Sequence, residues 1–306
     1  ADRFLTLTDR LEELEQKKEA DENQWLTQKE AGISFISCND FSFYDNMLDT
    51  AVLFGIVPKR YKELQLSELD TYFAMARGYQ GDSGDVKALA MKKWFNTNYH
   101  YIVPEVEDEM VIELKGNKLF AEYHEAKELG ITTKPTVIGA YTLLKLCRYT
   151  GTKKMADYVD VVSKAYRNLI VKCETEGIDW LQFDEPALVQ DMTEEDRELF
   201  VKMYSDILGK KKSCKVLLQT YFGDVRDVYE DIVKLSFDGI GLDFIEGMMC
   251  GHCQATVEKA LKGVPGVSEV VVSLEDKNAV VTAEESVGAD ALKAAVVDAG
   301  YEVTNI

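Results

Sequence analysis

The sequence predicts an α/β chain in two parts. An incomplete (β/α)8 barrel of the TIM type spans residues 1–240, and a small α+β module with ferredoxin-like βαββαβ order spans 241–306. Three observations carry this reading. Short apolar runs alternate with helix-period segments as far as Gly241, the pattern of a parallel sheet covered by helices. Polar residues stand where those runs stop, at Asn39-Asp40, Asp184-Glu185 and Gln219-Thr220, as on the functional face of a barrel. A Cys-x-x-Cys pair, Cys250 and Cys253, then opens a segment patterned helix, strand, strand, helix. A doubly wound sheet would share the first two features. The glycine fingerprint of a dinucleotide fold is missing after every strand, so the barrel is favoured.

Taken in order, residues 1–30 carry apolar residues at Phe4, Leu7, Leu11 and Leu14, a helical stripe among charges. Strands are expected at 33–38, 98–103, 134–138, 178–183, 216–220 and 240–245. Helices are expected at 41–54, across most of 67–91 with a break near Gly78–Gly84, and at 117–129, 139–147, 153–176, 194–208 and 225–235. After the cysteine pair, 253–262 reads as a helix ended by Gly263, 269–274 and 279–283 as a hairpin around Asp276-Lys-Asn278, 289–299 as a helix, and 301–303 as a last strand. The run 242–246 is claimed by both parts. A strand has two edges, and the compact module has all its other elements. It is therefore expected to take this strand, leaving the barrel open after 216–220 with an apolar edge that invites a partner chain.

Composition bounds the function. Hydrophobic residues make up 46% and charged residues 29% of the 306, ordinary values for globular protein. The net charge of −19 argues against nucleic acid as a partner. No eighteen-residue apolar run and no secretion signal are visible, so no membrane span and a cytoplasmic location are expected. Cys38, Cys147, Cys173 and Cys214 are scattered among apolar neighbours and read as free thiols in a reducing compartment.

Cys250 and Cys253 differ in kind. They stand at a loop-to-helix junction, where free N–H groups stabilise thiolates. Two thiolates on such a loop suit a soft ion of low coordination number, Cu(I) foremost. Structural zinc would want four ligands. His252 could supply a third ligand but is read as a residue around the site, as are Met248, a plug beneath the loop, and Tyr301, a neighbour packed beside it. Asp184 and Glu185 are adjacent and point to opposite faces of a strand, so they are not a paired acid and base. A structural tie to neighbouring loops or an arginine is expected of them. His100 reads as a satisfied barrel histidine and His124 as a surface one.

Three stretches resemble the N-terminal domain of cobalamin-independent methionine synthase. They are Gln28-Lys-Glu-Ala-Gly32 with Asp40-Phe-Ser-Phe-Tyr-Asp45, then Met91-Lys-Lys-Trp-Phe-Asn-Thr-Asn-Tyr-His-Tyr-Ile-Val-Pro-Glu105, then Asp184-Glu-Pro-Ala-Leu-Val189. The resemblance covers about residues 20–246. It implies methyl transfer from a 5-methyltetrahydropteroyl-oligoglutamate to homocysteine through a zinc-bound thiolate, in methionine biosynthesis, by two face-to-face barrels. It also implies that Lys93 contacts the oligoglutamate tail, a chain of carboxylates that a lysine suits. Nothing in residues 1–20 matches the family's Arg-Glu-Leu-Lys stretch. The second barrel, with the zinc and homocysteine sites, is absent, so the chain alone is expected to be inactive. Gly247-Met-Met-Cys-Gly-His-Cys253, with Gly266-Val267 and Gly300-Tyr301, resembles the heavy-metal-associated domain of copper chaperones and metal-pumping ATPases. Three readings stand together: a synthase fragment, a copper-handling module on an inactive barrel, and two unrelated sequences joined at Ile245-Glu-Gly247.

Overall fold

The structure is a computed structural model that describes residues 7–242, 251–273, 278–284, 286–301 and 303. It divides into two compact units, Ala1–Leu242 and Asp243–Ile306.

In the first unit five parallel strands form one sheet, ordered Ser37–Cys38, Lys134–Ile138, Trp180–Asp184, Lys215–Gln219 and Gly239–Gly241. Spatial order follows chain order, as helical crossovers between parallel strands allow. The register aligns rows across the sheet. Val137, Phe183 and Leu218 make one buried apolar row, continued by Ile240. The next row, Ile138, Asp184, Gln219 and Gly241, closes the strands at a common level. One rim of the sheet is therefore set by pairing alone.

Helices cover the apolar row. Met155–Glu176 buries Tyr158, Val159, Val162, Tyr166, Leu169, Ile170 and Cys173, a stripe at three- and four-residue spacing, and ends at Gly177 with φ 72°. Glu194–Leu208 starts at a capping box between Thr193 and Asp196 and buries Phe200, Met203, Tyr204 and Ile207. Tyr166 and Tyr204 set their rings against Phe183, with centroids 5.4 Å and 6.1 Å away.

Several expectations are corrected. The 98–103 segment does not enter the parallel sheet. Its central part, His100–Ile102, pairs antiparallel with Met91–Lys93, and the Trp94 N–H donates to the Tyr99 carbonyl at 2.8 Å. A short turn closes this hairpin at little entropic cost, so local pairing wins. His100 is accordingly exposed rather than a barrel histidine. The helix expected from 41 begins only at Asn46, because Asp45 caps it by accepting from the Leu48 N–H at 2.9 Å. The segment 67–91 is a helix, Glu68–Arg77, followed by a hairpin of Tyr79–Gly81 and Gly84–Val86.

The sheet also does not stop at 216–220. Lys215–Gln219 pairs in parallel with Gly239–Gly241, and the Thr220 N–H donates to the Gly241 carbonyl at 2.9 Å. The two glycines explain the early pairing. A Cβ on Gly239 would lie 3.1 Å from the Leu217 side chain, and one on Gly241 would run into the Gln219 amide. Leu242 is already irregular, and residues 243–246 lie outside the described residues.

The second unit, among the described residues, is a helix Gly251–Lys262, an antiparallel pair Val267–Ser273 and Asn278–Ala283, and a helix Ala289–Asp298. Val257, Leu261, Val270 and Val272 form its core, with Leu292, Val296 and Tyr301 packed against them. Tyr301 and Val303 are not in a strand, so the last expected strand is not seen there.

Candidate functional site

The aligned rim brings Gly139, Asp184-Glu185, Thr220-Tyr221 and the segment after Ser37–Cys38 to one end of the sheet. Glu185 is its tightest point. The side chain is fully buried and accepts from the Tyr141 N–H at 2.9 Å, the Thr142 N–H at 2.7 Å, the Thr142 hydroxyl at 2.5 Å and the Tyr204 hydroxyl. It thus caps the Ala140–Leu146 helix, whose own N-cap, Gly139, has no side chain to do so. Gly139 has to be glycine, because a Cβ there would fall 2.3 Å from the Glu185 carboxyl. Burial pushes the Glu185 carboxyl up to about 7, against the lowering effect of its donors. The structural tie expected of this carboxylate is met by a helix N-terminus, with no arginine among these partners.

Asp184 points the other way. Its carboxyl accepts from the Gln182 amide at 2.6 Å, and burial pushes it up to about 6. Lys134, on the neighbouring strand, donates to Gln182 and has its ammonium lowered by burial. Thr136, in the same polar face, keeps a buried hydroxyl oxygen without a partner.

At the edge strand, Asn39 takes φ 62° and is held on three sides. Its N–H donates to Glu122 at 2.8 Å, its amide donates to the Thr136 carbonyl at 2.8 Å, and its Oδ1 accepts from Lys118 at 2.9 Å. Lys118 also pairs with Asp49 at 3.0 Å, and Lys17 bridges Asp21 and Glu122, both at 2.6 Å. This ionic cluster borders a cavity of about 560 Å³. The sequence reading missed it, because its members are dispersed along the chain and each alone looks like a surface charge.

The Met91–Lys93 strand exposes Lys92 and Lys93. Lys93 lies opposite His100 in the hairpin. Aromatic residues follow it. Trp94 meets Phe95 at 4.9 Å and Tyr101 at 5.4 Å, and Phe95 meets Phe222, just beyond the rim strand Lys215–Gln219, at 5.8 Å. His124 pairs with Glu176 at 3.0 Å on the surface.

In the second unit, the helix backbone begins at Gly251, which puts His252 and Cys253 in its first turn. Met248 and Cys250 lie outside the described residues, as do the side chains of His252 and Cys253. Tyr301 is half-buried against the module core. Among the described residues no group of three or more His, Cys, Asp or Glu gathers to hold a metal ion. Cys38, Cys147, Cys173 and Cys214 are free thiols, and burial pushes Cys38 up to about 12, which makes it a poor nucleophile.

A family model described as the cobalamin-independent synthase N-terminal domain matches residues 4–262. The chain belongs to that family. The heavy-metal-associated domain model matches residues 244–302, so the two matches overlap across the start of the second unit. The synthase-type part is 54% identical over 231 residues to the 5-methyltetrahydropteroyltriglutamate–homocysteine methyltransferase of Lactococcus lactis subsp. cremoris (strain SK11), covering 75% of this chain and 30% of that protein. It is 51% identical over 244 residues to the protein of the same name from Campylobacter jejuni subsp. doylei, covering 80% of this chain and 32% of that one. The chain therefore spans about a third of the length of these curated relatives. Among solved structures, it resembles a B12-independent methionine synthase from Shewanella sp. W3-18-1 with a TM-score of 0.55 at 14% identity, covering 79% of this chain and 66% of that one. A putative vitamin-B12-independent methionine synthase from Listeria monocytogenes aligns with a TM-score of 0.51 at 15% identity, covering 73% of this chain and 60% of that one. These likenesses show a shared α/β fold. No helix among the described residues is long and apolar enough to cross a membrane.

Proposed function

We propose that the first unit is an incomplete synthase barrel that binds the oligoglutamate tail of a 5-methyltetrahydropteroyl compound. The observation that carries this reading is the Met91–Lys93 hairpin. It bears the longest stretch resembling the synthases and holds Lys93 in solvent, two residues before Phe95 of the rim pair. An exposed ammonium on a short paired strand suits a mobile chain of carboxylates. Residues 1–240 answer to about a third of the length of the full synthases, so the methyl transfer itself is not assigned to them. Residues 1–240 are the barrel part, and the cytoplasm is its place of work.

The second unit, 241–306, is proposed as a ferredoxin-like metal module that binds a soft ion such as Cu(I) through Cys250 and Cys253, with Met248, His252 and Tyr301 around them. The match to the heavy-metal-associated family supports this reading. Two thiols three residues apart suit a soft ion by their chemistry. Cys253 falls in the first turn of a helix, where unpaired N–H groups favour a thiolate. The ion would be cargo or a bound ligand rather than the synthase zinc. A copper-handling protein on an inactive barrel is the second functional reading, favoured if only this unit binds its ligand.

Calorimetric titration of 5-methyltetrahydropteroyl-triglutamate into the full chain tests the first reading. Binding that weakens on Lys93→Ala is expected. Undiminished binding by Lys93→Ala would remove that residue from the site, and no binding by the unchanged chain would leave the copper-handling reading.

A further inference from the structure

We infer that Phe95 and Phe222 form an aromatic subsite for the benzoyl ring that joins the pterin to its glutamate tail. This rests on the oligoglutamate reading above and extends it from the tail to the ring.

The argument begins with backbone strain. Phe95 has φ 50° and Phe222 has φ 75°, both in the left-handed region. For a bulky residue this conformation costs on the order of 1 kcal/mol or more relative to glycine. Glycine would serve either turn better. The strain at Phe95 is fixed by a tight turn, in which the Trp94 carbonyl accepts from the Thr97 N–H at 3.1 Å and from the Thr97 hydroxyl at 2.6 Å. At Phe222 the chain has just left the rim strand Lys215–Gln219.

Core burial does not account for Phe222, and it accounts for Phe95 only in part, since that ring packs against the margin of the main core. Phe222 is 40% exposed and Phe95 is half-buried, in a chain whose core phenylalanines Phe54, Phe120, Phe183 and Phe200 are at most 1% exposed. Yet the two rings come from segments more than a hundred residues apart and meet at 5.8 Å, tilted by 43°. Tyr221 braces Phe222 edge-on at 4.6 Å, and Trp94 braces Phe95 edge-on at 4.9 Å. The result is a preorganised aromatic surface, partly in solvent, at the carboxyl-end rim of the sheet. Lys93 stands two residues before Phe95. A ligand recognised here has an aromatic ring followed at once by carboxylates. A benzoyl-γ-glutamate chain has that order.

The test uses the full chain and two probes, p-aminobenzoyl-tri-γ-glutamate and tri-γ-glutamate without the ring, measured by calorimetry. The ringed probe is expected to bind the unchanged chain about five- to tenfold more tightly, the range of an added aromatic contact. Phe222→Ala and Phe95→Gly should each remove most of that difference and leave tri-γ-glutamate binding within about twofold. Phe95→Gly relieves the left-handed strain but removes a ring packed on the core, so an unchanged circular-dichroism spectrum and unchanged tri-γ-glutamate binding are read alongside it. Phe222→Tyr should restore the difference. Lys93→Ala should weaken both probes alike. Equal affinity of the two probes for the unchanged chain, or equal weakening of both by the phenylalanine variants, overturns the aromatic subsite and leaves the tail reading intact. Failure of both probes to bind overturns the tail reading, and the subsite with it.

Discussion

Glu185 shows how one residue can fix the rim. Its carboxyl joins the end of Trp180–Asp184 to the start of Ala140–Leu146 and to Tyr204 of Glu194–Leu208. Glu185→Ala leaves two buried N–H groups and two buried hydroxyls without their acceptor, and should cost about 3 kcal/mol or more in urea unfolding. The pH dependence has a definite sign. Glu185 stands at about 7, and Asp45 and Asp184 at about 6, each raised by burial. Raised carboxyls bind protons more readily in the folded state, so their contribution is full below the ordinary carboxylate range and is lost as pH rises through 6 to 7. The urea midpoint should therefore fall between pH 5 and pH 8, and Glu185→Gln should flatten that fall. A midpoint rising over this interval would contradict the assignment. Little of this was legible in the sequence. Asp184-Glu185 marks a strand end, but the helix that Glu185 caps starts more than forty residues earlier in the chain. A cap formed across the fold has no local spacing to reveal it.

Among elements, those with local instructions were legible. The stripe of Met155–Glu176 and the capping box at Thr193 and Asp196 give helices close to their expected limits. The strand at 98–103 was mistaken for a sheet member because its apolar run looks the same in a hairpin as in a parallel ladder. The last sheet strand, expected to go to the second part, pairs instead with Lys215–Gln219 over Gly239–Gly241. Its apolar residues continue past Gly241, but pairing is set by where a chain without side chains can lie against Leu217 and Gln219. Gly241→Val should thus weaken the sheet edge by about 1–3 kcal/mol, as overpacking does. Hydrogen exchange should report it as faster exchange of the Thr220 amide, which donates to the Gly241 carbonyl. Unchanged protection of that amide would show that the ladder does not depend on the missing side chain.

For the whole molecule, two family matches meet in one chain and overlap at 244–262. The motif Cys250-Gly-His-Cys253 falls inside that overlap. Two cysteines three apart need no tertiary partner to be noticed in a sequence, and their part in binding a metal is a proposal. Cys250→Ser with Cys253→Ser should abolish stoichiometric Cu(I) binding against a competing chelator while leaving the circular-dichroism spectrum unchanged. Copper retained at one equivalent would put the site elsewhere. The synthase-type part makes the larger claim, that a chain about a third the length of its relatives still recognises an oligoglutamate. The most direct measurement is the affinity of the full chain for 5-methyltetrahydropteroyl-monoglutamate and for the triglutamate, at two salt concentrations. The account predicts tighter binding of the triglutamate, with the gain reduced by salt and lost in Lys93→Ala. Equal affinity for the two lengths, insensitive to salt and to Lys93→Ala, would contradict it.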